Sequence, residues 1–255
     1  MMQRYFIPQI DWQGNEISIK GDDAHHIIRV MRNQVGDQII CNHQDGNAAI
    51  CEITSLNQNI VHAAVIDWKA ETVELPIAVT IAQGLPKGDK FDLILQKGTE
   101  LGASRFIPVK MDRSIVVWDG RKIEKKMARF EKIVKEASEQ SHRNKIPEIV
   151  LPMTVAELIH ESVNYDVKIF AYEEEAKVEA HQSFAGIVSR IVDNQKVLLC
   201  IGPEGGFSEQ EAKKLKENGF HAVRLGPRIL RTETASLYAL ASLSYHLEEI
   251  NGNHD

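Results

Sequence analysis

The sequence predicts an α/β protein in which a small β-barrel domain precedes a larger domain built on a parallel sheet. Three observations lead to this fold class. Residues 1–70 contain short β-type runs separated by glycines, and after residue 76 strands and helices alternate along the chain. Near the C terminus, two glycine-marked loops follow successive predicted strands, and each loop precedes a helix.

The first region is rich in short strands. The runs are RYFIP, EISIK, DQIICNH, NAAICEIT and NIVHAAVIDWK, divided by Gly14, Gly21, Gly36, Gly46 and SLNQN. Between them, DDAHHIIRVMR predicts one short helix, capped by Asp22 or Asp23. Several short strands at close spacing predict a small barrel. KAETVELP, residues 69–76, contains the predicted boundary between domains 1–72 and 73–255.

The second region alternates between the two element types. IAVTIAQ (77–83) predicts a buried strand and KFDLILQKGTELG (90–102) a helix that ends at Gly102. Strands are predicted at RFIPVK and SIVVW, and a long helix at RKIEKKMARFEKIVKEASEQSHR. Its apolar residues recur at helical spacing: Ile123, Met127, Phe130, Ile133, Val134 and Ala137. The alternation continues through TVAELIHESV, VKIFAYE, QSFAGIVSRIV and KVLLCIG, which predicts a largely parallel sheet.

Two loops near the C terminus stand at predicted strand ends, where open parallel sheets bind ligands. IGPEGGFSEQE begins at Ile201, and its glycines allow backbone to approach a ligand closely. Ser208 and Glu211 form a predicted capping box for the next helix, which runs to Gly219. LGPRILRTETASLYALA begins at Leu225, and Thr232 or Thr234 is expected to cap the last helix.

Charged residues distinguish these loops from ordinary strand–helix junctions, the interpretation that a lone glycine loop would receive. Glu204 lies in the first loop, and Arg228, Arg231 and Glu233 surround the apolar pair Ile229–Leu230 in the second. Neither GxGxxG nor GxxxxGK[ST] is present, so a dinucleotide or nucleoside triphosphate site is not supported. The loops therefore predict a small-ligand pocket without identifying the ligand.

Composition excludes several classes of protein. No apolar run approaches the roughly 18–20 residues needed to span a bilayer, and the N terminus lacks a signal-peptide pattern. Cys41, Cys51 and Cys200 are irregularly spaced, which suits a reducing compartment. The sequence has no HExxH, and His25–His26 is the one close histidine pair. We therefore expect a cytoplasmic protein with no membrane association and no metal.

The distribution of charge is uneven. The net charge is −6, but residues 110–145 carry 11 basic and 6 acidic side chains and are therefore +5, while the rest of the chain is −11. Two interpretations stay open for this window: an ordinary solvated helix face, or a surface that contacts nucleic acid.

The paired motifs GPEGGFSEQE and LGPRILRTETA resemble those of the SPOUT methyltransferases. More narrowly, the chain resembles the bacterial family that methylates uridine N3 in small-subunit (16S) ribosomal RNA. The similarity covers nearly the whole chain, including RYFIP, HHIIRVMR, AQGLPKGDKFDLILQKGTELG, the RS at 113–114 and EASEQSHR. Met31 stands where the family usually has leucine.

This resemblance implies a fold and a cofactor. It implies a PUA-like β-barrel that helps to bind RNA, followed by a SPOUT domain with a trefoil knot that works as a homodimer. Both loops would then surround one bent S-adenosylmethionine. The cofactor-binding residues so assigned are Tyr172, Gly202, Pro203, Glu204, Gly205, Gly206, Leu225, Gly226, Ile229 and Leu230.

Methylation of uridine N3 requires removal of a proton, so a base or a cation that stabilises the uracil anion is expected. Candidate acceptors are Glu204 and Glu233, and candidate cations are Arg231 and Arg143, which the sequence does not rank. For Arg231 two roles stay open, binding the cofactor's carboxylate or stabilising the uracil anion, and we favour the second. A role for Glu233 at its helix N terminus stays open. Candidate RNA-binding residues are Arg29, Arg32, Arg113, Lys122, Lys125, Lys126 and Arg143, and the expected partner is small-subunit ribosomal RNA within an assembled subunit.

Two other functions are weighed against this one. A non-catalytic RNA-binding assembly factor would use the knotted domain only as a scaffold, but Glu204, Arg231 and Glu233 argue against it. Ribose methylation by another knotted enzyme is disfavoured by the PUA-like start and by RILRTETA.

Overall fold

The computed structural model describes residues 2–70, 72–116, 118, 120–172 and 183–251, without the side chains of residues 121 and 122. The chain divides into two compact units. The first comprises Met1–Glu74 and Ser138–Ile146, and the second comprises Leu75–Ala137 and Pro147–Asp255. The sequence indicated the division near residue 72 but gave no sign that Ser138–Ile146 packs with the N-terminal region.

The first unit is built on a six-stranded sheet with the order β1-β4-β5-β6-β3-β2. Its strands are β1 (Arg4–Phe6), β2 (Trp12–Gln13), β3 (Glu16–Lys20), β4 (Gln38–Asn42), β5 (Ala48–Leu56) and β6 (Ile60–Lys69). β1 and β4 are parallel, and the other pairs are antiparallel. Alternation in β3 buries Ile17 and Ile19 while Glu16 and Lys20 face outward, as expected for a sheet with one buried face.

One helix interrupts these strands. Helix α1 (Gly21–His25) continues directly into a π-helical turn at His26–Met31. Its N-cap is Lys20, with no capping side-chain hydrogen bond, so the prediction that Asp22 or Asp23 caps the helix is wrong. Gly21, with φ of +64°, allows the turn from β3 into the helix to occur earlier than expected, which puts both aspartates inside the first turn.

Buried polar contacts hold the segment 138–146 within the first unit. Arg4 Nη1 and Asn42 Nδ2 donate to the Arg143 carbonyl at 3.0 and 2.7 Å. Glu74 forms an ion pair with the Arg143 guanidinium and accepts a hydrogen bond from the Asn144 amide at 2.9 Å. The Arg143 side chain is 4% exposed, so this ion pair is shielded from solvent.

The second unit contains an all-parallel sheet with the order β10-β8-β7-β12-β11-β13, and β9 pairs with β8. The strands are β7 (Ala78–Gly84), β8 (Arg105–Lys110), β9 (Glu148–Ile149), β10 (Met153–Thr154), β11 (Val167–Ala171), β12 (Lys196–Ile201) and β13 (His221–Val223). The helices are α2 (Lys90–Glu100), α3 (Gly120–Gln140), α4 (Val155–Glu161), α5 (Phe184–Val188), α6 (Glu209–Glu217) and α7 (Thr232–Ser244). β12 is buried from Val197 to Ile201, as expected for a strand with both faces covered. The predicted α/β class with a parallel C-terminal sheet is confirmed.

One predicted strand of this unit is wrong. In SIVVW, residues 114–116 and 118 do not form a strand. Trp118 instead packs edge-on against Phe91, with ring centroids 5.4 Å apart, and also contacts Phe130 of α3. An isolated run of apolar residues cannot distinguish a buried strand from a loop that covers the core.

Candidate functional site

A cavity of about 550 Å³ lies where the β11, β12 and β13 strands end at their carboxyl edges, within the second unit. Such a volume is typical of sites for small molecules and cofactors. Both glycine-marked loops contribute to its wall, with Tyr172 after β11 and Lys90 at the start of α2. The lining residues are Lys90, Arg113, Ala171, Tyr172, Ile201, Gly202, Pro203, Glu204, Gly205, Gly206, Phe207, Val223, Arg224, Leu225, Arg228, Ile229, Leu230, Arg231, Thr232 and Ala235.

A buried polar network fixes the start of the first loop. Thr232 Oγ1 donates to the Gly202 carbonyl at 2.6 Å and accepts from Gln83 Nε2 at 2.8 Å. Ser236 Oγ donates to Gln83 Oε1 at 2.5 Å, so the side chains of β7 and α7 are linked through one amide. Thr232 is the first residue of α7, and Arg231 is its N-cap without a capping side-chain bond. The prediction of Thr232 or Thr234 as the cap is therefore wrong, because the Thr232 hydroxyl serves Gly202.

Sterics explain two glycines of this loop. A Cβ at Gly205 would lie 2.9 Å from Arg113 Cβ, and Arg113 Nη1 donates to the Gly205 carbonyl at 3.0 Å. Gly206 has φ of +68°, a backbone conformation that side chains disfavour. Arg113, which the sequence placed among RNA-binding residues, thus forms part of the cavity wall.

The predicted capping box at Ser208 and Glu211 is present and extends further. Ser208 Oγ accepts from the Glu211 amide at 3.2 Å, and Glu211 Oε2 accepts from the Ser208 amide at 2.8 Å. Ser208 Oγ also bonds Asp112 Oδ2 at 2.7 Å, while the Asp112 amide donates to Glu211 Oε1 at 2.9 Å. These bonds fix the end of the first loop against the loop that follows β8.

Three charged side chains from separate segments meet beside the cavity: Lys90 and Glu204 are among its lining residues, and Glu233 is not. Lys90 Nζ lies 2.9 Å from Glu204 Oε1 and 3.3 Å from Glu233 Oε2. The Lys87 amide also donates to Glu204 Oε1 at 3.1 Å. Burial of Glu204 acts to raise its pKa, but the hydrogen bonds from Lys90 and the Lys87 amide lower the pKa below its ordinary value. The same Lys90–Glu204 hydrogen bond raises the pKa of Lys90, because it stabilises the charged ammonium group.

The second loop presents an apolar residue and two arginines. Ile229 is 81% exposed, whereas Leu230 packs against the core of the second unit. Arg228 and Arg231 are exposed, and neither guanidinium has a hydrogen bond or ion pair among the described residues. Gly226 has φ of +79°, which allows the chain to turn from β13 into this loop.

Tyr172 lies beside both loops. Its amide donates to the Val223 carbonyl at 2.9 Å, which ties the end of β11 to β13. The ring packs near Phe207 of the first loop, with centroids 6.4 Å apart, and the Lys216 ammonium group lies 5.6 Å from the ring centroid. Of the ten residues expected to bind cofactor, all but Gly226 line this one cavity. Gly226 lies in the second loop between Leu225 and Arg228, which both line the cavity. Their role in binding the cofactor stays a prediction.

Comparison with known proteins identifies the family. Residues 73–244 match the model of an RNA methyltransferase domain, and residues 19–66 match that of an RNA methyltransferase PUA domain. This chain belongs to the RNA methyltransferase family. It is 47% identical over 255 residues to a ribosomal RNA small subunit methyltransferase E of Bacillus subtilis (strain 168), covering 99% of this chain and 100% of the relative.

Two solved structures resemble this RNA methyltransferase. A ribosomal RNA small subunit methyltransferase E from Neisseria gonorrhoeae, bound to S-adenosyl methionine, has a TM-score of 0.83 and 30% identity over 96% of this chain and 97% of that one. A methyltransferase from Legionella pneumophila, also in complex with that cofactor, has a TM-score of 0.84 and 28% identity over 96% and 97%. The expected PUA-like and SPOUT-type architecture is thereby confirmed, and the predicted knot stays a prediction.

The cavity of this methyltransferase fits S-adenosylmethionine. Its volume suits a ligand of that size, and glycine backbone forms the wall at Gly202, where a Cβ would lie 3.1 Å from Gly206. Backbone of the two loops together with Tyr172 would hold the cofactor, and the cofactor would supply a methyl group activated by a sulfonium. Lys90 and Glu204 line the same cavity, and Glu233 contacts Lys90 from outside that lining.

The remaining predicted residues of the methyltransferase lie elsewhere. Arg29, in the π-helical turn, and Arg32, with φ of 57°, are exposed on the first unit. Lys125 is exposed on α3, and Lys126 is half-buried there, with Nζ 5.4 Å from the Trp118 ring centroid. The Lys122 side chain lies outside the described part of the structure. Arg143 belongs to the first unit, where it pairs with Glu74 as described above.

Sequence reasoning missed that Lys90 and Thr232 line the cavity, and that Gln83 supports the first loop by hydrogen bonding Thr232. Each lies at a strand end or helix start that becomes relevant only once the strand order is known. β7 lies directly beside β12, so the residues that follow β7 approach the first loop. The signal was the run of charged and turn residues in LPKGDK after a buried strand.

No helix among the described residues is long and apolar enough to cross a membrane. Within the same ranges, no group of three or more histidine, cysteine or acidic side chains is arranged to hold a metal ion.

Proposed function

We propose that this RNA methyltransferase transfers the methyl group of S-adenosylmethionine to N3 of a uridine in small-subunit (16S) ribosomal RNA. The observation that supports this reaction most directly is the cluster of Lys90, Glu204 and Glu233, because Glu204 lines the cavity that fits the cofactor and Glu233 adds a second carboxylate directly beside it. Relatives of this chain that are named for ribosomal RNA of the small subunit support the choice of RNA.

The chemistry explains why carboxylates are needed. Uridine N3 carries a proton and becomes an effective nucleophile only when that proton leaves. A carboxylate accepts the proton, the N3 electron pair forms the bond to the methyl carbon, and the electrons of the broken carbon–sulfur bond return to sulfur. We assign stabilisation of negative charge on the uracil oxygens to Arg231, and its exposed position in the cavity lining supports this assignment.

Recognition of RNA is assigned to basic residues on the surfaces of both units. Arg29 and Arg32 are exposed on the first unit, and α3 carries the exposed Lys125 and the half-buried Lys126. We infer that the target uridine is splayed out of its RNA, since a stacked or paired base does not present N3 to a pocket. The assembled small subunit as substrate, the homodimer and the cytoplasmic location are parts of the same proposal.

The modified nucleoside tests this proposal. Protein, methyl-labelled cofactor and either small ribosomal subunits or naked small-subunit RNA are incubated, the RNA is digested, and the labelled nucleoside is identified by mass spectrometry. We expect N3-methyluridine. A label on ribose would favour the alternative knotted enzyme, and RNA binding without any label would favour the assembly factor.

A further inference from the structure

Glu204 and Glu233 differ in how their carboxylate oxygens are bound. Glu204 Oε1 has two donors, Lys90 Nζ at 2.9 Å and the Lys87 amide at 3.1 Å. Glu233 Oε2 is buried and has no donor in hydrogen-bonding geometry among the described residues, although Lys90 Nζ lies at ion-pair distance. Glu204 is therefore the anchored carboxylate, and Glu233 retains an acceptor position.

Burial distinguishes the two carboxylates in the same direction. The Glu233 side chain is 13% exposed, compared with 31% for Glu204. An unfilled acceptor in a largely buried carboxylate is costly unless a substrate donor completes it. A uridine N3–H is such a donor, and it is a proton that the reaction must remove.

We propose that Glu233 accepts the N3 proton of the target uridine, and that Lys90 is the positioning residue that holds this carboxylate in place by binding it together with Glu204. The inference rests on the proposed function for the identity of the proton donor. The proton moves from N3 to a Glu233 oxygen, and solvent removes it after the methylated base leaves.

The ammonium group of Lys90 is what allows two carboxylates to share this space. Two nearby carboxylates disfavour each other's ionised form, whereas a cation between them favours both. Other charges near this cluster are Lys87, Asp89 and Asp92 around the start of α2, Arg129 paired with Asp92, Arg113 after β8, and Arg224, Arg228 and Arg231 before α7. Of the lysine and arginine side chains, Lys90 is the one that the described contacts place on both glutamates.

The first test measures ionisation without cofactor or RNA. Carboxyl carbons of glutamate are isotopically labelled in the full-length protein and titrated by NMR, with Glu204→Gln and Glu233→Gln identifying the two signals. Lys90→Met and Lys90→Gln each remove the charge, so a folded sample of either gives the answer. We expect the Glu233 midpoint to rise by about one pH unit or more. An unchanged midpoint would overturn the role of Lys90.

The second test uses single-turnover methyl transfer at saturating cofactor over a range of pH. Only an ionised carboxylate can accept the N3 proton, so we expect the rate to fall at acidic pH. In Lys90→Met that acid limb should shift to higher pH and the rate should recover at high pH, while Lys90→Arg should keep the wild-type profile. A uniform loss at every pH would contradict the positioning role.

Two controls separate this inference from its alternatives. Lys87→Met removes a neighbouring charge but keeps the amide that donates to Glu204, and we expect it to leave the Glu233 midpoint unchanged. Glu233→Gln should slow transfer by about 10²–10⁴-fold and remove the acid limb. Persistence of that limb in Glu233→Gln would assign the proton to another group.

A labelled nucleoside other than N3-methyluridine, with the midpoints shifted as expected, would overturn only the proposed function.

Discussion

Gly205 occupies a position in the first loop where a side chain does not fit. Because a Cβ there would lie 2.9 Å from Arg113 Cβ and 3.2 Å from the Arg113 carbonyl oxygen, a larger side chain must displace the loop or the arginine. We expect Gly205→Val to weaken cofactor binding by about 5- to 150-fold, which corresponds to the roughly 1–3 kcal/mol cost of overpacking. Calorimetry measures the affinity, and Gly120→Ala, whose added Cβ meets no atom of the described residues within 4 Å, is the control.

A folded Gly205→Val protein, judged by circular dichroism, that binds cofactor with unchanged affinity would remove the first loop from the site.

Arg231 is expected to act in the chemical step rather than in cofactor binding. Its exposed guanidinium borders the cavity at the N-cap of α7 and has no side-chain partner among the described residues. Arg231→Ala should therefore slow single-turnover transfer at saturating cofactor by roughly 10²–10³-fold, as for loss of one preorganised donor to a developing anion. The cofactor dissociation constant, measured separately, should not change.

The control for this variant is Arg190→Ala, an exposed arginine that does not line the cavity. If Arg231→Ala instead raised the cofactor dissociation constant and left the saturated rate near normal, Arg231 would be a cofactor-binding residue.

Single residues could be assigned to the site from the sequence where they lie close together along the chain. Gly202, Gly205 and Gly206 lie in one loop after one strand, and the sequence alone placed them at a cavity. Lys90 could not be assigned in this way, because its proximity to Glu204 depends on β7 lying beside β12, more than 100 residues further along the chain. Long-range strand order is not encoded in local periodicity.

At the scale of one element, α6 begins with a cap that also secures the first loop. Ser208 bonds both the Glu211 amide and Asp112, so its hydroxyl connects the helix to the loop after β8. Ser208→Ala should lower the free energy of unfolding by about 1–2 kcal/mol. Denaturant unfolding measures this change, and cofactor affinity should fall as well because the loop is no longer held at its end.

Ser183→Ala is the matched control, because among the described residues Ser183 caps α5 through the Gly186 amide alone, and it lies outside the cavity lining. We expect a smaller loss of stability, about 0.5–1 kcal/mol. Equal losses in both variants, with cofactor affinity unchanged, would mean that the hydrogen bond to Asp112 contributes nothing.

Element boundaries were predictable where a cap or a glycine marks them, as at Ser208, Gly102 and Gly219. They were missed where a side chain forms a tertiary bond instead. Thr232 has the chemistry of an N-cap, but its hydroxyl binds Gly202 and Gln83, so Arg231 occupies the cap position. A competing partner elsewhere in the chain decides such cases, and helix-capping rules do not include it.

At the scale of the whole molecule, the segment 138–146 belongs to a different unit from the residues that precede and follow it in the chain. α3 begins in the second unit, yet the residues at its C-terminal end belong to the first. Arg143 is a candidate cation for catalysis and RNA binding by its sequence, and the structure places it in a buried ion pair with Glu74. Its predicted roles remain predictions, but its burial gives it a clear part in the stability of the first unit.

The uneven charge of the chain leads to a prediction about RNA binding. Residues 110–145 are +5 in a protein whose net charge is −6, and exposed lysines of α3 lie in this window. If Lys125 and Lys126 bind phosphates, the double reversal Lys125→Glu, Lys126→Glu should weaken binding to small-subunit RNA several-fold at low salt. The slope of log affinity against log salt should also become shallower, by about one for each phosphate that the variant no longer neutralises.

The matched control reverses Lys213 and Lys214 of α6, two exposed lysines outside the window, with the same change in net charge. Filter binding over a series of salt concentrations measures both pairs. A phosphate-binding surface on α3 requires a shallower slope in the α3 variant and an unchanged slope in the α6 variant, since overall charge affects both proteins equally whereas released counterions report only local ion pairs. Identical slopes in the wild type and both variants would mean that α3 presents an ordinary solvent-exposed face that does not bind phosphates. Cofactor affinity should be unchanged in both variants, because none of the four lysines lines the cavity.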